Sequence, residues 1–158
     1  MKLSKFAPLA GFLVASFSAA AVGGAATATS VGTWYQTLHQ PAWNPPNWIF
    51  GPVWTLLYIL MSVAAWRVWR TGDADAARRT FRWFAAQLSL NLLWSVLFFG
   101  LRAPGIAFAE VIVFWAVLVV MLRRFWLADK IAAALWAPYV AWVSFASVLN
   151  GTVWWLNR

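Results

Sequence analysis

Apolar residues dominate the chain in five long runs that short polar segments separate. We place these runs at residues 6–27, 49–69, 81–101, 104–122 and 131–156. Each is close to the about 20 residues that a helix needs to cross a bilayer. Three connections are short and hold arginine, glycine or proline, whereas the first, residues 30–48, is long and rich in proline and tryptophan. The pattern predicts an all-α membrane protein, a single domain that is a bundle of five transmembrane helices.

The basic residues fall mainly on one face of such a bundle. Helices that alternate in direction place ten of them on one side and only Arg102 and Arg158 on the other. The ten are Lys2, Lys5, Arg67, Arg70, Arg78, Arg79, Arg82, Arg123, Arg124 and Lys130. Lysine and arginine accumulate on the cytoplasmic side of membrane proteins. We therefore expect a cytoplasmic N-terminus and an outer C-terminus, and we attribute the net charge of +8 to topology rather than to nucleic-acid binding.

The first run has two interpretations. Its lysines, apolar centre and small residues near Ala26 are also typical of a cleaved signal peptide. Against this, small residues recur every four positions, at Gly11, Ala15, Ala19 and Gly23, and such a face lets helices approach closely in lipid. We expect a retained helix whose small-residue face packs against another helix or a second subunit.

Composition restricts the chemistry further. Of the residues, 63% are hydrophobic and only 10% are charged, and there is no cysteine. His39 is the only histidine, which excludes a multi-histidine metal site; we interpret it as a turn residue rather than an axial ligand. No serine–histidine–carboxylate set, carboxylate pair or phosphate-binding loop is present, so we expect no hydrolytic or metal-dependent catalysis.

The fourteen tryptophans divide into two groups. We assign one group to the aromatic belt at the membrane surfaces: Trp66, Trp69, Trp83, Trp126, Trp136, Trp154 and Trp155. Four others, Trp54, Trp94, Trp115 and Trp142, lie a turn or more inside their runs, and Trp34, Trp43 and Trp48 fall in the first connection. A buried indole needs a partner for its N–H, so the deep group is expected to face other helices rather than lipid.

Polar residues accompany these deep tryptophans. They are Gln87, Ser89, Asn91 and Ser95 on the third run and Ser144, Ser147 and Asn150 on the fifth. Asn91, Trp94 and Ser95 share one helical face by their spacing. Glu110, the only carboxylate inside a run, is expected to be protonated or to pair with Arg102 or a neighbour, with helix bridging slightly favoured over ligand contact. Together these residues predict an aromatic small-molecule cavity that opens at the outer side.

The stretch "QPAWNPPNWIFGPVWTLLY", residues 40–58, joins the first connection to the second apolar run. Proline fixes φ and lacks a backbone N–H, so this segment resists both helix and sheet. A stiff segment loses little entropy when it closes over a ligand. We expect it to form a lid over the cavity, with contributions from Trp34, His39, Pro45, Pro46 and Trp48.

The whole chain resembles the tryptophan-rich sensory proteins and the mitochondrial translocator proteins, also called peripheral benzodiazepine receptors. The resemblance rests on "TWYQTLHQPAWNPPNWIFGPVWTLLYILMSVAAW", "LNLLWS" and "PYVAWVSFASVLN", and on the pattern W-x-P-P-x-W-x-F-x-x-x-W-x-x-L-Y from Trp43 to Tyr58. It implies five membrane helices, often in a homodimer, that bind protoporphyrin IX, haem or other flat hydrophobic ligands and need no further cofactor.

The resemblance also implies which residues bind the ligand. They are Trp43, Phe50, Trp54, Tyr58, Asn91, Trp94, Trp142 and Phe145. Trp54 and Trp142 match the two tryptophans that the family links to light-dependent porphyrin breakdown, so they are the catalytic candidates if such breakdown occurs. The last run ends in "SVLNGTVWWLNR", without the tyrosine of the family's sterol motif, which argues against sterol recognition.

Three functions remain in competition at this stage. The first is binding of tetrapyrroles in the sensing or handling of porphyrins and pigment synthesis. The second is light-dependent oxidative degradation of protoporphyrin IX, and the third is transport of porphyrin or sterol, which the lack of a visible inverted repeat disfavours. The charge distribution places the protein in a bacterial inner membrane, while the mitochondrial resemblance points to an outer membrane. We expect the inner membrane.

Overall fold

The computed structural model describes residues 6–158, and within that range it contains helices and no strand. Five helices are long and apolar enough to cross a membrane, as predicted. They are α1 (Ala7–Ala28), α3 (Asn47–Thr71), α4 (Ala74–Ser95, continued by the π-helical turn Val96–Gly100), α5 (Pro104–Ala128) and α6 (Lys130–Leu156). A single helical turn, α2 (Trp34–Thr37), interrupts the first connection. Lys2 and Lys5, part of the charge count above, lie outside the described residues.

The helices extend beyond the apolar runs at several ends. α4 begins at Ala74, because the Asp73 side chain accepts a hydrogen bond of 2.7 Å from Ala76 N and caps the helix. α5 continues to Ala128 and so includes Arg123 and Arg124. A capping residue, rather than the first apolar position, therefore determines where α4 begins.

The two ends of the bundle differ in charge. The basic end carries the turn between α3 and α4 and the junction of α5 with α6, together with the described members of the basic set: Arg67, Arg70, Arg78, Arg79, Arg82, Arg123, Arg124 and Lys130. The loop end carries residues 29–46, the turn between α4 and α5, and the C-terminal end of α6. In that turn, Arg102 adopts a left-handed φ of 54° just before Pro104 begins α5.

The core lies between α3, α4, α5 and α6 and includes two tryptophans that we had assigned to the belt. Trp136 is fully buried, and its Nε1 donates a hydrogen bond of 3.1 Å to Leu118 O. Trp66 is also buried, with the Arg70 guanidinium 4.6 Å from its ring centroid. The belt assignment is wrong for both residues, because the surrounding core residues enclose their side chains inside the bundle. Trp126 and Trp155 are exposed, as a belt requires.

The small-residue face of α1 packs within the chain. Ala15 and Ala19 pack against the core, and a Cβ built on Gly23 would lie 3.3 Å from Ser95 Oγ of α4. Ser16 Oγ and Ser62 Oγ of α3 are 2.8 Å apart. Gly11 is exposed, with no atom within 4 Å of a built Cβ, so it takes no part in this packing. These contacts favour α1 as an integral helix of the bundle over a cleaved signal peptide.

Asp129 connects three elements at the basic end. Its Oδ1 accepts hydrogen bonds from the backbone N–H groups of Ile131 at 2.8 Å and Ala132 at 3.1 Å, and its Oδ2 lies 2.8 Å from Arg67 Nη2. Desolvation raises the pKa of this carboxyl group, but the N–H groups of Ala132 and Ile131 and the Arg67 guanidinium prevail and hold the pKa below its usual value. Asp129 is therefore the charged cap of α6.

We expect Asp129→Ala to lower the free energy of unfolding at pH 7 by about 1–2 kcal/mol, because the cap and the ion pair disappear together. Asp129→Asn keeps a capping oxygen and should cost less. Since the folded pKa is depressed, the contribution of the carboxylate is complete above the unfolded pKa of about 3.9 and is lost as the pH falls through the folded value.

Thermal unfolding in detergent between pH 7 and pH 3 measures this dependence. The curves of the wild type and of Asp129→Asn should converge at acid pH. Asp75→Asn is the control, since Asp75 forms only an exposed contact of 3.8 Å with Arg78. A gap between wild type and Asp129→Asn that stays constant down to pH 3 would contradict the proposed role of the charge.

A candidate ligand cavity

A cavity of about 530 Å³ lies between α1, α3, α4 and α6 toward the loop end. Its walls are mainly aromatic and aliphatic, with amide and hydroxyl groups at a few positions. A volume in the range of about 300–1,000 Å³ with sparse polar groups is typical of small-molecule sites. The expected cavity is therefore present in the structure.

Six of the eight residues predicted to bind the ligand line this cavity: Phe50, Trp54, Tyr58, Asn91, Trp94 and Trp142. Trp43 and Phe145 do not line it. They pack edge to face with each other, with ring centroids 5.9 Å apart, and Phe145 also packs 5.5 Å from Trp142. They support the wall from behind rather than forming it.

The aromatic side chains of the wall contact one another. Trp54 packs 5.5 Å from Tyr58 and 6.0 Å from Tyr139, measured between ring centroids. Phe50 packs edge to face on Trp142 at 5.8 Å. Edge-to-face and tilted pairs at these distances are favourable, so α3 and α6 hold Trp54 and Trp142 in fixed orientations.

A chain of buried hydrogen bonds connects α3, α4 and α6 beside the cavity. Tyr58 OH donates to Asn91 Oδ1 at 2.9 Å, and Asn91 Nδ2 donates to Tyr139 OH at 3.2 Å. Tyr139 OH in turn donates to Gln87 Oε1 at 2.8 Å. Polar side chains inside a membrane bundle connect helices in this way. Asn91 is the central member, and its amide both accepts and donates.

A second polar link lies nearer the loop end. Trp94 Nε1 donates to Asn150 Oδ1 at 2.9 Å, and Asn150 Nδ2 donates to Pro104 O at 2.8 Å. Asn91, Trp94 and Ser95 all line the cavity, as their spacing predicted. Trp115, the remaining deep tryptophan, is 37% exposed and does not line it, although its Nε1 donates to Ser144 Oγ at 2.7 Å.

Two buried polar groups in the described chain have no hydrogen-bond partner. Trp142 Nε1 is one, and it belongs to a residue of the cavity wall. Buried N–H groups are nearly always paired, and this one has less than 1 Å² of accessible surface, so it is enclosed by protein atoms rather than facing the open cavity. The other is the Glu110 carboxyl group, both oxygens of which lack a partner. Glu110 therefore neither bridges helices, the alternative that the sequence slightly favoured, nor pairs with Arg102, and it does not line the cavity.

The sequence did not indicate several residues of the wall. Phe17 comes from α1, Tyr35 from α2, and Phe98 and Phe99 from the π-helical turn. In that turn Leu101 N donates to Val96 O at 2.8 Å, a loop one residue wider than that of an α-helix, and Phe98 and Phe99 are both buried. Regular helical spacing could not predict the direction of these two rings, because the extra residue shifts the register by about 100°.

Glycines leave one side of the cavity open. Gly24 of α1 and Gly51 of α3 both line it and are both exposed. A Cβ built on either residue would have no atom within 4 Å. Toward the basic end, Phe17 and Tyr58 close the space between the same two helices, with ring centroids 6.1 Å apart. The cavity is therefore unobstructed between α1 and α3 at the two glycines.

The first connection lies beside the cavity, but not through the residues predicted as a lid. Trp34, His39, Pro45, Pro46 and Trp48 do not line the cavity, and Trp48 is 74% exposed. Val31, Tyr35 and Asn47 line it instead. The segment was expected to be non-helical, yet it contains α2, and α3 already begins at Asn47 with Pro52 inside it.

Hydrogen bonds hold this connection in place. Ser30 Oγ donates to Phe99 O at 2.8 Å, and Tyr35 OH donates to Asn44 Oδ1 at 3.3 Å. Burial raises the pKa of Tyr35, although the bond to Asn44 opposes this, so the phenol remains a neutral donor. At the far end, the Asn157 side chain accepts from His39 N and donates to His39 O, both at 2.9 Å.

The fold and the cavity define a multi-pass membrane protein: five transmembrane helices that enclose a tryptophan-lined small-molecule cavity. Comparison with known proteins gives the family. The sequence profile described as the TspO/MBR family matches residues 12–156, and the chain belongs to this family.

Three relatives illustrate its range. The tryptophan-rich protein TspO of Chlorobaculum tepidum is 42% identical over 125 residues, which cover 78% of this chain and 79% of the relative. Protein CrtK of Rhodobacter capsulatus is 35% identical over 147 residues, or 92% of each chain. The human translocator protein is 34% identical over 123 residues, covering 77% of this chain and 73% of the relative.

Proposed function

We propose that the cavity binds a tetrapyrrole, protoporphyrin IX or haem, and that the protein senses or handles porphyrins in a bacterial inner membrane with its basic end toward the cytoplasm. The observation that carries this proposal is the cavity of about 530 Å³ walled by packed aromatic rings, with Tyr58 and Asn91 among its few polar residues. A flat conjugated ring stacks on indoles, while the few polar groups of the wall orient it. Membership of the TspO/MBR family supports the same ligand class through the resemblance described above.

Among residues 6–158, no histidine, cysteine or methionine that could ligate haem iron lines the cavity, and the chain's only histidine, His39, lies elsewhere. The two tyrosines of the wall, Tyr35 and Tyr58, donate their hydroxyl protons to Asn44 and Asn91. Recognition would therefore rest on the macrocycle rather than on a central metal ion. Metal-free protoporphyrin IX is the appropriate probe.

Titration of the detergent-solubilised protein with protoporphyrin IX tests the proposal. The Soret band should shift saturably, and tryptophan fluorescence should be quenched. We expect Trp54→Phe with Trp142→Phe to weaken binding about fivefold to tenfold, because stacking area is lost while aromatic packing is retained.

The matched control removes two tryptophans outside the cavity. Trp126 and Trp155 are exposed and do not line it, so Trp126→Phe with Trp155→Phe should leave the affinity unchanged. Equal affinity in the Trp54/Trp142 variant and the wild type would show that the ligand binds elsewhere.

Light-dependent degradation of the bound porphyrin is the second candidate. It is favoured by the position of Trp54 and Trp142, which line the same cavity as potential electron-transfer partners. Dioxygen would be the oxidant and would be reduced while the macrocycle is oxidised. With dioxygen present, the illuminated Soret band should then decay faster with protein than with detergent alone, and faster than in the Trp54/Trp142 variant. Equal decay rates would show that the protein binds the porphyrin without degrading it.

A further inference from the structure

We propose that a second site, at the basic end, binds the phosphate headgroup of an anionic phospholipid. A recess of about 210 Å³ lies there between α3, α4 and α5, separate from the aromatic cavity. Its lining residues are Val68, Ala76, Arg79, Thr80, Trp83, Met121, Arg124, Phe125 and Leu127. None of them lines the aromatic cavity, and the porphyrin proposal does not involve them.

Two arginines converge on this recess without a carboxylate partner. Among residues 6–158 the ion pairs are Arg67 with Asp129 and Arg78 with Asp75, so neither Arg79 nor Arg124 is neutralised by one. Asp73, the remaining carboxylate at this end, caps α4 through Ala76 N and does not line the recess. The recess is therefore positive, and an anion can occupy it without displacing an existing ion pair.

Trp83 positions one of these charges. The Arg124 guanidinium lies over the Trp83 ring, 5.0 Å from its centroid. A cation–π contact of this kind holds the planar group by its face and leaves its N–H edge available to an anion. Guanidinium groups bind phosphate oxygens in pairs of charge-assisted hydrogen bonds. Arg124 on α5 and Arg79 on α4 can thus approach one phosphate from two helices.

The apolar part of the recess favours a lipid over free phosphate. Val68, Met121 and Phe125 are buried apolar residues that form part of its wall. Leu127, also in the wall, is 78% exposed. A phosphate group beside an exposed apolar surface at the end of transmembrane helices matches a phospholipid, whose acyl chains continue along the bundle. Basic pockets between transmembrane helices are known to bind anionic headgroups.

Native mass spectrometry of the full chain in detergent tests the site. The probes are dioleoyl-phosphatidylglycerol and the zwitterionic dioleoyl-phosphatidylcholine, with glycerol 3-phosphate and inorganic phosphate as soluble competitors. We expect one phosphatidylglycerol to bind preferentially, and Arg79→Gln with Arg124→Gln to weaken it about tenfold or more.

The control variant carries Arg82→Gln with Arg123→Gln. It removes the same charge from the same helices, and neither residue lines the recess. Retained phosphatidylglycerol binding in this control, with loss in the Arg79/Arg124 variant, supports the site. Equal loss of lipid binding in both variants would show that binding depends only on the overall positive charge of this end, and would overturn the proposal. So would equal binding of the two lipids, or displacement of the lipid by millimolar inorganic phosphate. Porphyrin titration of the same variants tests the aromatic cavity separately, because none of these arginines lines it.

Discussion

Replacement of Asn91 with leucine is expected to lower the free energy of unfolding by about 1–3 kcal/mol, which is large for a single side chain in a membrane bundle. Asn91 joins Tyr58 of α3 to Tyr139 of α6 by two buried hydrogen bonds. Without the amide, the buried Tyr58 OH loses its acceptor. Thermal or denaturant unfolding in detergent gives the value.

Two further variants separate the hydrogen bonds from packing. Ser89 lies on the same helix but is exposed and bonds only to Ala85 O, so Ser89→Ala should change stability little. Tyr58→Phe combined with Asn91→Leu removes the orphaned hydroxyl, and the double variant should be less destabilised than the sum of the two single variants. If the losses of stability in the two single variants simply add in the double variant, the hydrogen bonds contribute nothing beyond the packing of these side chains.

Leucines at the open side of the cavity should block the ligand without destabilising the fold. Gly24→Leu with Gly51→Leu is expected to weaken protoporphyrin IX binding about tenfold to hundredfold, because the new side chains occupy the space that the glycines leave open. Glycine inside a helix costs roughly 1 kcal/mol relative to a good helix former. The variant should therefore unfold at the same temperature as the wild type or higher, which distinguishes occlusion from misfolding.

Gly11→Leu is the matched control for this experiment. Gly11 lies on α1 with no atom within 4 Å of a built Cβ, like Gly24, but it does not line the cavity. Its replacement should leave porphyrin affinity unchanged. Unaltered affinity in the Gly24/Gly51 variant would exclude the gap between α1 and α3 from the binding site.

The sequence predicted the class of fold because a bilayer imposes a simple length requirement. Five apolar runs became five helices, and the spacing of Asn91, Trp94 and Ser95 placed all three on the cavity wall. The wrong predictions concern side chains whose role depends on which helices surround them rather than on their position along the apolar run. Trp136 lies near one end of its apolar run, yet α5 covers it and Leu118 O accepts its N–H.

A related reason explains why the sequence did not indicate some residues of the cavity wall. Tyr35 reaches the cavity because α2 folds back and Ser30 is bonded to Phe99 O, a contact between residues far apart in the sequence. The composition of residues 30–48 indicated a stiff segment but not which of its aromatic residues face inward. Trp43 and Trp48 had the stronger signal and are both exposed.

The π-helical turn Val96–Gly100 has a consequence for how chain length can vary in this protein. The turn accommodates one more residue than an α-helix would, and that residue sets the rotation of Phe98 and Phe99 relative to Trp94. A single-residue deletion here would turn one part of the wall by about 100° against the other. A homologue whose alignment shows a one-residue gap at this turn should have a cavity of different shape, even if it retains every aromatic residue.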